Sequence, residues 1–581
     1  MEKLLSYELL THKGSPFELQ DVVIKGTPCK IFPRGPQTLR DVFIKSAAFA
    51  DREFIIKGDM RLTYRQAFRR TIYFARNMRQ KYKIKKGSRV ALIMDTGPEW
   101  AIVFMALCFA GAAPVIIPVD VKESDIIKAL ELTNCELVAA DFSSLGKINV
   151  SGIKLPVVIP MMRQTDAISR IACGTSAVFS IFNLADTPGD QDDAYIEETC
   201  ETTPDDEALI SFTSGTTGTP KGVVFNHRNM TTGLMNMMLG GLRMSFCAAT
   251  DGRKHRHDAQ TCSLLLSPFS HASGYSQLML MCYLGGKIVL LPEWDLQTAT
   301  DLIDYERVRS LCGLSPTMAN ELLYANRSRD SLRSLSHMNI YGVPLRKKFI
   351  RALTNVFPHI SLGTGYGMTE TCGAISVVSG KELLDNPELS GLALPSVNIK
   401  IVDHDGCEAT QGNHGEIWVR GAMVMQGYCF GREDSGAILE DGWLKTGDLG
   451  YIGPAGNLYV TGRLDAFRCG DRPISSEKLE RLVCELDTVD DAAALRISGS
   501  RRQGVGIALA VIPNSTVPVD KIELTREVAA CVKAYADDVQ VVIMNDIPRT
   551  ASGKADRKAL ELKITDFMNS RISGSEYASA R

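Results

Sequence analysis

The densest chemistry in the sequence lies in Thr213-Ser214-Gly215-Thr216-Thr217-Gly218-Thr219-Pro220-Lys221-Gly222, between the apolar run Ala208–Phe212 and Val223-Val224. Three glycines, four threonines, one serine and one lysine offer unhindered backbone N–H groups, hydroxyl donors and a cation. That set suits a polyphosphate. The order is not that of a Walker A loop, which needs Gly-Lys-Ser/Thr, because Lys221 stands between Pro220 and Gly222. The plain alternative is a Gly/Thr-rich surface turn, and the length and order of the pattern argue against it.

A loop of this kind binds only if a rigid scaffold holds its ends. Apolar strands are expected at Arg89–Met94, Ala113–Ile117 and Glu136–Ala140, alternating with helices over about Glu99–Ala110 and Ser124–Leu132. Such alternation marks a sheet buried on both faces with right-handed crossovers, so the expected fold class is α/β. The uncharged stretch Ala101–Val119 is long enough to cross a bilayer. Gly111, Pro114 and Pro118 interrupt it and it continues the alternation, so no membrane span is expected. From about Ser475 the texture becomes helix, strand, strand, helix, strand, a compact α+β unit of about a hundred residues. The acidic segment between Leu184 and Ile210, which lacks Lys, Arg and His, is expected to be a solvated linker.

With 581 residues, 45% hydrophobic and 23% charged, the chain is expected to form more than one globular unit. Its 65 Lys plus Arg against 67 Asp plus Glu give a net charge of -2, without the basic footprint of a nucleic-acid binder. The 15 cysteines include no CxxC pair, which fits a reduced compartment. The opening MEKLLSYELL is broken by His12, Lys13 and Gly14 before it reaches signal-peptide length, and the ending SEYASAR is not a peroxisomal address. A cytoplasmic location is the expectation.

Five further motifs follow the loop in order: Tyr341-Gly342-Val343-Pro344; Gly365-Tyr366-Gly367-Met368-Thr369-Glu370; Trp443-Leu444-Lys445-Thr446-Gly447-Asp448; Gly462-Arg463-Leu464-Asp465; and Pro548-Arg549-Thr550-Ala551-Ser552-Gly553-Lys554. Together they resemble the adenylate-forming superfamily of acyl-CoA synthetases, peptide-synthetase adenylation domains and beetle luciferases. Their style is closest to the acyl- and aryl-CoA ligases. The resemblance implies a large N-terminal domain, residues 1–464, of layered α/β sheets with a small β-barrel-like part. It also implies a smaller, mobile α+β domain, residues 465–581, that carries the catalytic lysine.

The chemistry implied is the transfer of AMP from ATP to a carboxylic acid. This brings the negative charges of acid and triphosphate together, so cations and donors must offset the repulsion. By resemblance, Lys554, Glu370 and Thr216 are catalytic, and Glu370 holds Mg2+ against the phosphates. Ser214, Gly215, Thr217, Gly218, Lys221 and Thr369 serve the phosphates, and Asp448 accepts from the ribose with Arg463 beside it. Tyr341, Gly342 and Val343, with Gly365, Tyr366 and Gly367, border the adenine. Asp465 is the hinge of the mobile domain.

His271 matches the histidine bordering the acyl pocket of CoA ligases, although a packed core histidine is a live alternative. Ala272 stands where amino-acid-activating relatives carry an aspartate for the substrate ammonium, so an amino acid substrate is disfavoured. Gly363 and Thr364 place small residues beside the same pocket. The expected acceptor is CoA. An amine or a carrier-protein thiol stays open, because Asp465-Ala466-Phe467-Arg468-Cys469-Gly470-Asp471-Arg472 departs from the Gly-Gly pair usual in CoA ligases, and luciferase-like oxidation stays open because it shares the first half-reaction.

Overall fold

The computed structural model describes residues 2–147, 155–161, 176–180, 202–213, 221–250, 260–325, 332–340, 347–429, 439–464, 467–469, 472–474, 476–497, 506–514, 517–535, 539–549 and 555–573. Its strands are apolar on both faces because both faces are covered. In the strand Arg89–Ile93, Val90 and Leu92 enter one core and Ala91 and Ile93 another. This strand pairs in parallel with Ala113–Ile116 and Leu137–Ala140. One side of the sheet continues through Val157–Met161 and Ser176–Ser180. The other passes through Glu207–Thr213, which is parallel to Ala113–Ile116, to the antiparallel Lys221–Asn226 and Gly427–Tyr428.

The second sheet has a parallel limb of Cys262–Leu265, Lys287–Leu290, Ser310–Cys312, His337–Asn339 and Ser361–Met368. At Ser361–Met368 the pairing turns antiparallel. It then runs through Gly373–Ser379, Gly391–Ala393, Asn457–Arg463, Trp443–Ile452 and Gly415–Arg420 to Asn398–Val402. Ser361–Met368 is therefore the junction between the two limbs.

Helices Leu39–Ser46, Pro98–Phe109, His227–Thr250 and Ala272–Leu284 contribute to the core between the sheets. From Trp100 onward Pro98–Phe109 is apolar all round because it is buried all round, and together with the buried strand Ala113–Ile116 it accounts for most of the uncharged stretch. Among the described residues no helix is long and apolar enough to cross a membrane. Glu123–Thr133 covers the outer face of the first sheet, and Leu296–Tyr305, Pro316–Ala325 and Lys347–Val356 that of the second. The order is helix, sheet, helix, sheet, helix.

In the C-terminal part, Val489–Ile497, Gly506–Pro513 and Val539–Ile543 form their own sheet. Helices Ser476–Cys484 and Lys521–Val532 pack on one face, and Arg557–Ser573 on the other. The acidic linker ends earlier than expected. Asp205, Asp206 and Glu207 pair with Arg228, Lys86 and Arg89, and Glu207 begins a strand. The basic partners of these three come from elsewhere in the chain, while residues 185–201 of the expected linker lie outside the described residues.

Candidate active site

The antiparallel pair Trp443–Ile452 and Asn457–Arg463 sets Asp448 directly opposite Arg463. Arg463 Nη1 lies 3.1 Å from Asp448 Oδ1, and Tyr366 Oη donates to Asp448 Oδ2 at 2.6 Å. Burial, reinforced by the Asp448 charge, pushes the Tyr366 phenol far above its usual value, so it stays a donor. The turn before Asp448 is fixed by its own bonds. The Asp448 N–H donates to Thr446 Oγ1 at 3.1 Å, and the Gly447 N–H to Glu416 Oε1 at 3.0 Å. Gly447 has φ +70°, a left-handed conformation that glycine adopts without strain.

Tyr366 lies on Ser361–Met368, where a side chain at Gly365 would strike the Ser376 carbonyl and one at Gly367 the Gly373 carbonyl. These glycines let the hairpin close. At Gly363 the vacated space is taken by Met244 Cε and Asn339 Oδ1, so the small residue makes room for the protein's own side chains. Thr364 is half-buried opposite Val378.

The same strand ends in the short turn Thr369–Thr371, which carries Thr369 and Glu370. Tyr428 Oη donates to Glu370 Oε1 at 2.8 Å, and the Met425 N–H donates to the Glu370 carbonyl at 2.9 Å. Lys221 Nζ sits 5.1 Å from the centre of the Tyr428 ring. Lys221 is also the register partner of Thr213, so paired strands hold both ends of the Gly/Thr-rich loop. Among the described residues no cluster of three His, Cys, Asp or Glu could cage a metal ion. A single carboxylate suits Mg2+, which keeps much of its water shell and takes further ligands from substrate phosphates. Glu370 fits that ion.

His271 precedes the helix Ala272–Leu284, which begins at Ala272. Burial lowers the His271 pKa, partly opposed by the charge of Asp120, so a neutral imidazole is favoured. Ser214, Gly215, Thr216, Thr217, Gly218, Tyr341, Gly342, Val343, Asp465 and Lys554 lie outside the described residues. The structure thus brings together Tyr366, Asp448 and Arg463, and separately joins Lys221 to Glu370 through Tyr428. Tyr428 was not singled out from the sequence. Its only local signal is the Gly427-Tyr428 pair, and its partner Glu370 is 58 positions away.

The model of the AMP-binding enzyme family matches residues 43–429. A 4-coumarate--CoA ligase-like protein of Arabidopsis thaliana is 25% identical over 494 residues, covering 84% of this chain and 83% of the relative. Among solved structures, the amide bond synthetase McbA from Marinactinospora thermotolerans superposes with a TM-score of 0.71 at 21% identity, covering 90% of this chain and 99% of that one. O-succinylbenzoate coenzyme A synthetase from Bacillus subtilis gives a TM-score of 0.67 at 22% identity, with coverage of 90% and 99%. At these identities the two structures establish the fold. The family match takes in the phosphate loop, Glu370 and Tyr428, and the chain belongs to the AMP-binding enzyme family within the adenylate-forming superfamily.

Proposed function

We propose that this ligase couples an acyl or aryl carboxylic acid to AMP, releases pyrophosphate, and transfers the acyl group to the thiol of CoA. The observation that carries the reading is the junction strand Ser361–Met368. It presents Tyr366 to the Asp448–Arg463 pair and delivers Glu370 in the turn that follows. A nucleotide held at Asp448 and a cation held at Glu370 would therefore be anchored through one strand and the turn that follows it.

Each residue has a defined task in that reaction. Asp448, fixed by Tyr366 and Arg463, accepts hydrogen bonds from the ribose hydroxyls. Lys221 and the hydroxyls of Ser214, Thr216, Thr217 and Thr369 bind phosphate oxygens. Glu370 would hold Mg2+, which would supply positive charge against the triphosphate. Lys554 enters with the C-terminal domain, residues 465–581, and stabilises charge developing on the transferred phosphoryl group. Rotation about Asp465 then withdraws Lys554 and opens the acceptor side. The neutral His271 borders the acyl pocket with Ala272 and Thr364, whereas the side of Gly363 is filled by Met244 and Asn339.

CoA as acceptor is supported by the CoA ligase named among the relatives. An amine is the second reading, favoured by Asp471 in place of a second glycine after the hinge. The experiment offers CoA, a primary amine, or neither to enzyme turning over its best acid, and identifies the product by mass spectrometry. Thioester at saturating CoA is expected. Amide formation without thioester would replace CoA with the amine.

A further inference from the structure

We propose that Tyr428 is a positioning residue that fixes the Glu370 carboxylate for its cation and ties it to the phosphate-loop lysine; this rests on the adenylating reading above. Three segments distant in sequence meet here. The Lys221–Asn226 strand pairs with Gly427–Tyr428 through Val223 opposite Tyr428 and Val224 opposite Gly427. The Gln426 N–H donates to the Val224 carbonyl at 2.8 Å and the Cys429 N–H to the Gly222 carbonyl at 2.8 Å. The Met425 N–H reaches the Glu370 carbonyl. The backbone positions of Lys221, Glu370 and Tyr428 are thus mutually set before any ligand arrives.

Two side-chain contacts use that frame. The Tyr428 hydroxyl occupies Glu370 Oε1 at 2.8 Å, which orients the carboxylate and leaves Oε2 for the cation. The ring of Tyr428 lies 5.1 Å from the Lys221 ammonium, within the range of a cation–π contact. One aromatic residue therefore holds both the carboxylate that would take the metal and the ammonium that would serve the phosphates. A half-buried glutamate without this bond samples several rotamers, and ordering it on each binding event weakens the site.

The test measures metal affinity directly. Mn2+ binding in the presence of a nonhydrolysable ATP analogue is followed by electron paramagnetic resonance in wild type, Tyr428→Phe, Glu370→Gln and the double variant. Tyr428→Phe keeps the ring beside Lys221 and removes only the hydroxyl. Its Mn2+ dissociation constant is expected to rise roughly three- to tenfold, the effect of one hydrogen bond. The melting midpoint and the KM for the acid should stay unchanged, and the Mg2+ concentration giving half-maximal activity should rise in parallel. On the Glu370→Gln background the Tyr428 substitution should have no further effect. Unchanged Mn2+ affinity in Tyr428→Phe, with a clear loss in Glu370→Gln, would overturn the positioning role alone. Unchanged affinity in Glu370→Gln would instead remove Glu370 from the cation site and with it the reading on which the proposal rests.

Discussion

Asp448 is held from two sides, by the Tyr366 phenol and the Arg463 guanidinium, while the Thr446 and Gly447 turn sets its backbone. Those contacts pre-orient an anionic acceptor, so the ribose proposed to bind there would find it in place at little entropic cost. Asp448→Ala is expected to weaken ATP binding by about 1.5–3 kcal/mol, the range for hydrogen bonds to a charged group. Calorimetric titration measures this, and unchanged affinity would leave Asp448 only its turn and its two side-chain partners. The residue was legible in the sequence because Gly447-Asp448 falls within a six-residue motif. Its bond to Tyr366 was not, since the phenol reaches across 82 positions to the carboxylate. Tyr428 escaped notice for the same reason. Sequence order does not display contacts made between strands that only the folded sheet brings together.

At the scale of elements, the helix His227–Thr250 depends on the protonation state of its first residue. His227 Nδ1 accepts the Leu39 N–H at 3.2 Å, and burial lowers the His227 pKa to about 4. The unfolded chain, with an ordinary histidine value of about 6.5, takes up a proton first as pH falls. Stability is therefore fully present above about pH 6.5 and is lost as pH falls toward 4, by up to about 3 kcal/mol from this group. The main thermal transition of His227→Gln should accordingly fall less between pH 6.5 and 4 than that of wild type. Parallel curves would show that His227 does not supply this dependence. The alternating strands and helices around this region were legible, because apolar runs and Gly/Pro breaks mark them locally. Strand Arg89–Ile93 and helix Glu123–Thr133 fall within a residue or two of expectation. What stayed hidden was the order of strands within each sheet and the use of acidic residues as ion-pair partners, both set by distant parts of the chain.

At the scale of the whole molecule, ion pairs from the helix Ser476–Cys484 and the turn after it, Arg481 with Glu388 and Asp487 with Lys348, link the C-terminal part to the larger one. Ion pairs at the surface are weak and screened by salt. If Asp465 is the pivot, Asp465→Pro should preserve acyl-adenylate formation and slow thioester formation strongly, because proline restricts the backbone dihedral φ. Separate single-turnover assays of the two half-reactions check this, and equal loss in both would assign Asp465 a general structural role. The division into a large α/β part and a small α+β part was legible from the change of texture near Ser475. The central claim, that the protein adenylates a carboxylic acid, is tested most directly by acid-dependent exchange of radiolabelled pyrophosphate into ATP across a panel of aryl and fatty acids. The account predicts Mg2+-dependent exchange with at least one acid, slowed in Lys554→Ala by an activation free energy about 2.7–4 kcal/mol higher, by analogy with loss of an oxyanion donor. Exchange that persists at the wild-type rate in Lys554→Ala, or its absence with every acid in a protein that binds ATP, would contradict it.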